Sequence, residues 1–361
     1  MRNEAVTGGQ PPGAKAYVAS IASAVPRFSA CQRFAADLVR DHFKETLTPR
    51  SVGLIRATFE HPSIEKRHFA VDHPARIFNE SQDERVERFT RESVNLAAQA
   101  VTQALEKVGL SVQEVNGLVV NTCTGYICPG ISTYLAQRLG LSPRARLYDL
   151  VGSGCGGAIP NLQVAESMLR MTGGVVVSVA VEICSAAFQM GNDLSLILSN
   201  ALFGDGAAAA VLWEKPSGFE LHSSAGRHVP EQREAIRFVH KGGQLHNQLS
   251  TDLPKLVGKA AADVVDDLLA MSPVSKDEIG GWALHTGGEK VINAVRDQVG
   301  IPEELLRATR RVLSQYGNMS SPTVWFVLDE MLQEGMPSGQ WCVLLAYGAG
   351  LSAHACLLRK V

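Results

Sequence analysis

No surplus of either charge marks this sequence: 34 lysines and arginines face 36 aspartates and glutamates, for a net charge of -2. So balanced a chain gives no electrostatic reason to bind nucleic acid or an anionic membrane. It also lacks a CxxC pair or a Cys/His run at metal-ligand spacing; its seven cysteines are scattered at 31, 123, 128, 155, 184, 342 and 356. An odd, scattered set argues against a disulfide framework or a zinc site, and it fits a reducing cytoplasm. Long apolar runs are missing too. The longest, 174-GVVVSVAVEICSAAF-188, is shorter than a membrane span and contains Glu182, so it reads as a buried strand and its exit. Residues 1–15 lack the apolar core of a signal peptide and read as a disordered lead-in.

What is there is an α/β pattern. The composition, 45% hydrophobic and 19% charged, is that of a soluble globular protein, and 361 residues are too many for one small core. Residues 93–109 have helical spacing, 116–125 read as a strand, 130–141 as a helix, 146–152 as extended, 157–171 as a helix and 174–182 as a strand. This alternation predicts a layered sheet. The second half repeats the first. LVVNTCTG (118–125) matches WALHTGG (282–288), and the words AQRLGL and VRDQVGI close the helices that follow. DLVGSGCGGAIPNLQVAESML (149–169) then matches LSQYGNMSSPTVWFVLDEML (313–332), and VVVSVAVE matches WCVLLAYGAG. The repeat predicts duplicated halves, 16–216 and 217–361, divided at the Pro-Ser-Gly turn in 214-EKPSGFE-220.

Duplication places strand-end corners of both halves at one interface, where α/β sheets hold ligands. Three residues stand at such corners: Cys155 in GSGCGGA, His285 in WALHTGG and Asn318 in YGNMSS. A thiol at a helix N-terminus is acidified by the helix dipole, and an imidazole beside it can hold a thiolate–imidazolium pair. Glycines around Cys155 permit a tight elbow and leave backbone N–H groups for an acyl oxygen. Asn318 adds a neutral amide donor.

GCGGAIPNL, WALHTGG, YGNMSS and LFGDGAAAAVL together resemble the signatures of the type III polyketide synthases, the chalcone synthase-like family. The resemblance runs from about residue 15 to the C-terminus. It implies a thiolase-like fold with a layered αβαβα arrangement, and a homodimer of secondary metabolism. It implies that Cys155 accepts an acyl group from a CoA starter, while His285 and Asn318 bind the thioester carbonyl and stabilise the enolate from decarboxylation of malonyl-CoA. Condensation and cyclisation would follow with no metal and no redox cofactor, since decarboxylation drives the carbon–carbon bond and CoA thioesters are the substrates. Phe203 falls at the family's aromatic gate. Ser320 and Cys128 match cavity positions, Cys128 one that reaches into the neighbouring subunit. Arg56 and Lys290 fall where CoA is bound.

The sequence departs from the family in several places. The C-terminal loop, usually GFGPG, reads AYGAG here and ends at Gly350, a cavity-lining position in the family; without its proline it is expected to be more flexible. Cys184 and Ala187 replace two threonines, which opens an apolar pocket, and Asn247 stands where a second aromatic gate is usual. These small residues point to a fatty acyl starter and to alkylresorcinol or alkylpyrone products. Three other readings remain open at this point. They are a malonyl-CoA-only synthase of a small phenolic, such as phloroglucinol or dihydroxyphenylacetyl-CoA, a ketoacyl synthase III-like condensing enzyme, and a non-catalytic acyl-binding protein.

Overall fold

The computed structural model describes residues 15–361, so the expected lead-in lies outside the described residues except for Lys15. Among the described residues the strands are β1 (Tyr17–Ala24), β2 (Ser29–Cys31), β3 (Lys66–His68), β4 (Val115–Asn121), β5 (Arg146–Leu150), β6 (Val175–Glu182), β7 (Gly206–Trp213), β8 (Phe219–His228), β9 (Ile236–Lys241), β10 (Gln244–Leu249), β11 (Ile279–Leu284), β12 (Trp341–Gly348) and β13 (Ser352–Lys360). Nine of them form one sheet, ordered β11-β12-β13-β8-β1-β7-β6-β4-β5; β2 pairs with β3, and β9 with β10.

Local sequence explains the elements. The helix Gln82–Lys107 begins where Ser81 and Glu84 form a capping box. The matched words AQRLGL and VRDQVGI are helix stops. Ile131–Leu139 ends at Gly140 with φ +69° and Glu289–Val299 at Gly300 with φ +78°, the left-handed conformation that glycine adopts without strain. β6, VVVSVAVE, is buried along its whole length, as a β-branched strand covered on both faces must be.

The strand order shows one plan used twice. In β5-β4-β6-β7-β1, β4 is parallel to β5 and β6, and the next two pairings are antiparallel. In β11-β12-β13-β8 the same run follows, one parallel pairing and then two antiparallel ones, without a counterpart of β5. The two runs join through β1 and β8 by only two register pairs, Tyr17 with Glu220 and Val18 with Phe219. The helix Ala158–Thr172 packs on β4 and β6 and also meets β12 and β13; Thr323–Gln333 packs on β11 and β12 and also meets β1 and β7. These two helices are therefore the middle of five layers. Gln82–Lys107 covers β1 and β7 from outside, and Leu253–Ala270 covers β13 and β8.

The middle layer is a single apolar cluster drawn from both runs, including Ile21, Leu162, Met168, Trp325, Leu328 and Leu344. Each run also carries an insertion. Between β1 and β4 the helices Gln32–Phe43 and Pro49–Phe59 build a separate apolar cluster around Ile55 and Phe59. Between β8 and β11 comes the β9/β10 hairpin.

Trp325 is fully enclosed in the middle layer, and its indole N–H finds no hydrogen-bond partner. Chemical denaturation should show Trp325→Ala destabilised by about 3–5 kcal/mol. Trp325→Phe, which deletes the unsatisfied N–H and keeps most of the ring, should lose less than half as much.

Candidate active site

Cys155 lies in a 3-10 turn, Gly154–Gly156, between the end of β5 and the helix Ala158–Thr172. Gly154 has φ +54°, and the turn is pressed against the far end of β12 in the other half. A Cβ on Gly348 would stand 2.4 Å from the Gly156 nitrogen and 2.4 Å from the Ser153 oxygen. The glycines thus let two backbones touch, which seats the thiol at the junction of the halves.

His285 follows β11 and is 1% exposed. Its backbone N–H donates to the Leu345 carbonyl at 2.9 Å, and its carbonyl accepts from the Tyr347 hydroxyl at 2.6 Å. The Tyr347 ring stands edge-on to the imidazole, with centroids 5.3 Å apart. Among the described residues the buried imidazole Nδ1 has no hydrogen-bond partner. Asn318 is held by its backbone: its N–H donates to Leu202 O at 2.9 Å, and its carbonyl accepts from the Gly204 N–H at 3.0 Å. Its side-chain Oδ1 accepts from the Ser320 N–H at 2.8 Å. That bond fixes the amide orientation and leaves Nδ2 as the uncommitted donor.

Cys155, His285, Asn318 and Phe203 all border one space of about 420 Å³, whose other walls include Leu202, Leu253, Val257 and Val291. Cys155 and Phe203 also border a second, larger space of about 780 Å³, together with Cys184, Ala187 and Ser320. Phe203 therefore stands between two compartments that meet at the thiol. Asn247 lines the larger one, but the aromatic ring missing at that position is supplied by Phe238, its register partner on β9.

Other expected positions fall outside. Gly350, at φ +129°, does not border either space; the turn rotates it away, and Ala349 takes the wall. Cys128 is exposed and borders neither space. Arg56 is exposed and paired with Glu60 at 3.3 Å, and Lys290 is exposed on the first turn of its helix.

Burial opposes the expected charged pair. It pushes the Cys155 thiol up to about 12, only partly offset by the Ser320 hydroxyl, and the His285 imidazole down to about 3. Each group alone would be neutral at pH 7, so only the attraction between opposite charges can hold a thiolate against an imidazolium.

Residues that the sequence reading did not assign to the site shape it. Glu182, at the end of β6, accepts hydrogen bonds from the Thr122–Thr124 loop and from Ser320 and Ser321. Arg67 donates to the Phe203 carbonyl at 2.7 Å and so fixes the proposed gate's backbone. A carboxylate closing an otherwise apolar strand was a visible signal for Glu182; Arg67, one cation among several in 49–69, gave none.

His285→Gln removes the imidazole that borders the same space as Cys155. Alkylation of Cys155 by iodoacetamide at pH 7 should slow by about 100-fold or more, then climb about tenfold per pH unit from 6 to 9, since the thiol alone ionises far above that range. Equal rates in the variant and the unaltered protein would contradict a role for the imidazole.

A family model for FAE1/type III polyketide synthase-like proteins matches residues 29–280, and one for the C-terminal domain of chalcone and stilbene synthases matches 220–361. A 3,5-dihydroxyphenylacetyl-CoA synthase of Streptomyces toyocaensis is 31% identical over 320 residues, covering 84% of this chain and 82% of that protein. A second, from Amycolatopsis balhimycina, is 28% identical over 316 residues, covering 84% and 85%. Among solved structures, PKS-I of the brown alga Ectocarpus siliculosus superposes with a TM-score of 0.88 at 24% identity, covering 96% of this chain and 98% of that one. The C-terminal type III polyketide synthase domain of Steely1 from Dictyostelium gives 0.86 at 25%, covering 96% and 99%. The five-layered fold is thiolase-like, and the chain belongs to the type III polyketide synthases, condensing enzymes of the acyltransferase class.

Proposed function

We propose that this synthase loads a fatty acyl group from CoA onto Cys155 and extends it with malonyl-CoA before cyclisation to an alkylresorcinol or alkylpyrone. In this reading His285, neutral by burial, takes the thiol proton as Cys155 attacks the thioester. The free Nδ2 of Asn318 faces the same space and donates to the oxyanion, then to the enolate formed as malonyl-CoA loses CO2. Phe203 separates the CoA side from the cavity in which the chain grows.

One observation carries the starter. The larger cavity adjoins a further space walled by Phe28, Phe34, Phe59, Phe69, Phe78 and Phe188, and the two share Arg67, Phe69, Ile77, Phe188 and Asn200 along their border. An apolar branch next to the cavity that Cys155 borders suits an alkyl tail. A second reading, that malonyl-CoA serves alone and yields a small phenolic, is favoured by the 3,5-dihydroxyphenylacetyl-CoA synthases among the curated relatives.

A homodimer is part of the proposal. β5 ends the sheet as an edge strand, and near it Tyr126, Tyr148 and Val151 are exposed. An open edge flanked by apolar side chains suits pairing with a second copy, with Cys128 in the adjoining loop facing the neighbour. Seven free cysteines suit a reducing cytoplasm.

Purified protein and Cys155→Ala should be incubated with malonyl-CoA and starters from acetyl- to stearoyl-CoA, with products read by mass spectrometry. Long-chain pyrones or resorcinols, absent from Cys155→Ala, are expected. Products from malonyl-CoA alone would move the assignment to the second reading, and no Cys155-dependent product would overturn both.

A further inference from the structure

Among the described residues, Arg67 is a buried cation with no anion paired to it. It is 2% exposed, on β3, with its guanidinium near the rings of Phe59 and Phe69 at 5.4 and 5.0 Å. Its Nε donates to Gln32 Oε1 at 2.8 Å, and Nη1 donates to the carbonyls of Asn200 and Phe203, both at 2.7 Å. Those bonds close the end of the helix Leu194–Leu202 and could be made by a neutral donor. Among the described residues Nη2 makes no hydrogen bond, and no carboxylate lies within ion-pair distance. The nearest influences of opposite sign are Asp205 and Cys184. The Asp205 carboxylate is already taken by the Ala70 and Ser185 N–H groups and the Ser185 hydroxyl, and burial raises the Cys184 thiol well above its ordinary range. Burial also lowers the guanidinium to about 9, the sign of a charge left short of a partner. A charge in such a place is costly unless something anionic meets it.

Its location says what that something is. Arg67 borders both the cavity that holds Cys155 and the phenylalanine-walled branch. An alkyl chain lying in the branch would end here, and the oxygens added by extension would begin here. Resting on the type III polyketide synthase reading, we propose that Arg67 Nη2 is an oxyanion subsite for the β-keto chain on Cys155, holding an oxygen of its enolised 1,3-dicarbonyl unit. The carbon between two carbonyls releases its proton to solvent, and the electron pair delocalises onto both oxygens. The guanidinium favours that anion, which keeps the reactive chain extended and in one ionisation state between rounds.

Acetylacetone, a small 1,3-diketone whose enolate absorbs at longer wavelength than its neutral forms, is the probe. Its ionisation is followed by ultraviolet difference spectra against pH, free and bound to the unaltered protein. The bound midpoint should fall by about one pH unit or more. Arg67→Gln should lose the shift and Arg67→Lys should retain part of it. An unshifted midpoint in the unaltered protein, or an equal shift in Arg67→Gln, would overturn the subsite. The unaltered-protein titration stands whether or not the variants fold. Acylation of Cys155 by an acyl-CoA, read on the same preparation, separates the two ideas. A shifted midpoint without acylation leaves Arg67 as a site for an enolate and sinks the acyl chain on Cys155, whereas acylation with no shift sinks the subsite and leaves the chain on Cys155 standing.

Discussion

Glu182 closes an all-apolar strand with a carboxylate that is fully enclosed, and six hydrogen bonds converge on it. Four come from residues 122–124, after β4, and two from Ser320 and Ser321, after Asn318. Among the described residues no cation is paired with it, and burial raises its affinity for a proton in spite of those donors. A buried carboxylate in this state cannot lose a partner cheaply. Two loops from opposite halves are therefore tied to one point beside the thiol. Ser320 holds a positive φ of 60° in the tie, a backbone position that a serine tolerates only when its surroundings over-determine it.

The rest of the site hangs on that junction. Ser321 also accepts from Asn121 Nδ2 at 2.7 Å, Asn121 Oδ1 accepts from Asn161, and Asn161 Oδ1 accepts from Ser178. A chain of buried polar groups thus crosses from the middle helix layer to the Asn318 loop. Opposite it, the Gly156 and Gly348 backbones meet with no room for a side chain. Hydrogen bonds set one wall of the Cys155 elbow and steric contact sets the other. The cavity beyond is apolar on most sides, which makes its few charges consequential.

Much of this was legible in the sequence, for a physical reason. Duplication forces equivalent strand ends to face each other, so Cys155, His285 and Asn318 could be brought together from spacing alone, and the structure puts all three on one space. The matched helix stops were legible because left-handed glycines mark them. Gly350 and Ala349 show the limit: a turn changes which neighbour faces inward, and no periodicity reports that. Phe238 shows another, since the aromatic ring comes from the strand paired with Asn247. Arg56 and Lys290 were placed by resemblance alone, and both are exposed side chains away from the two spaces. Arg67 and Glu182 acquire their meaning only from what surrounds them.

Three thiols, those of Cys123, Cys155 and Cys184, border the same cavity, so the account's central claim is that Cys155 is the one that carries the acyl group. The direct measurement is trapping: the protein is incubated with an acyl-CoA and no malonyl-CoA, quenched in acid, and its intact mass and peptides are read. The account predicts one acyl group per chain, on the peptide that contains Cys155, and none on Cys155→Ala. An adduct that persists in that variant on Cys123 or Cys184, or no adduct in the unaltered protein, would contradict it.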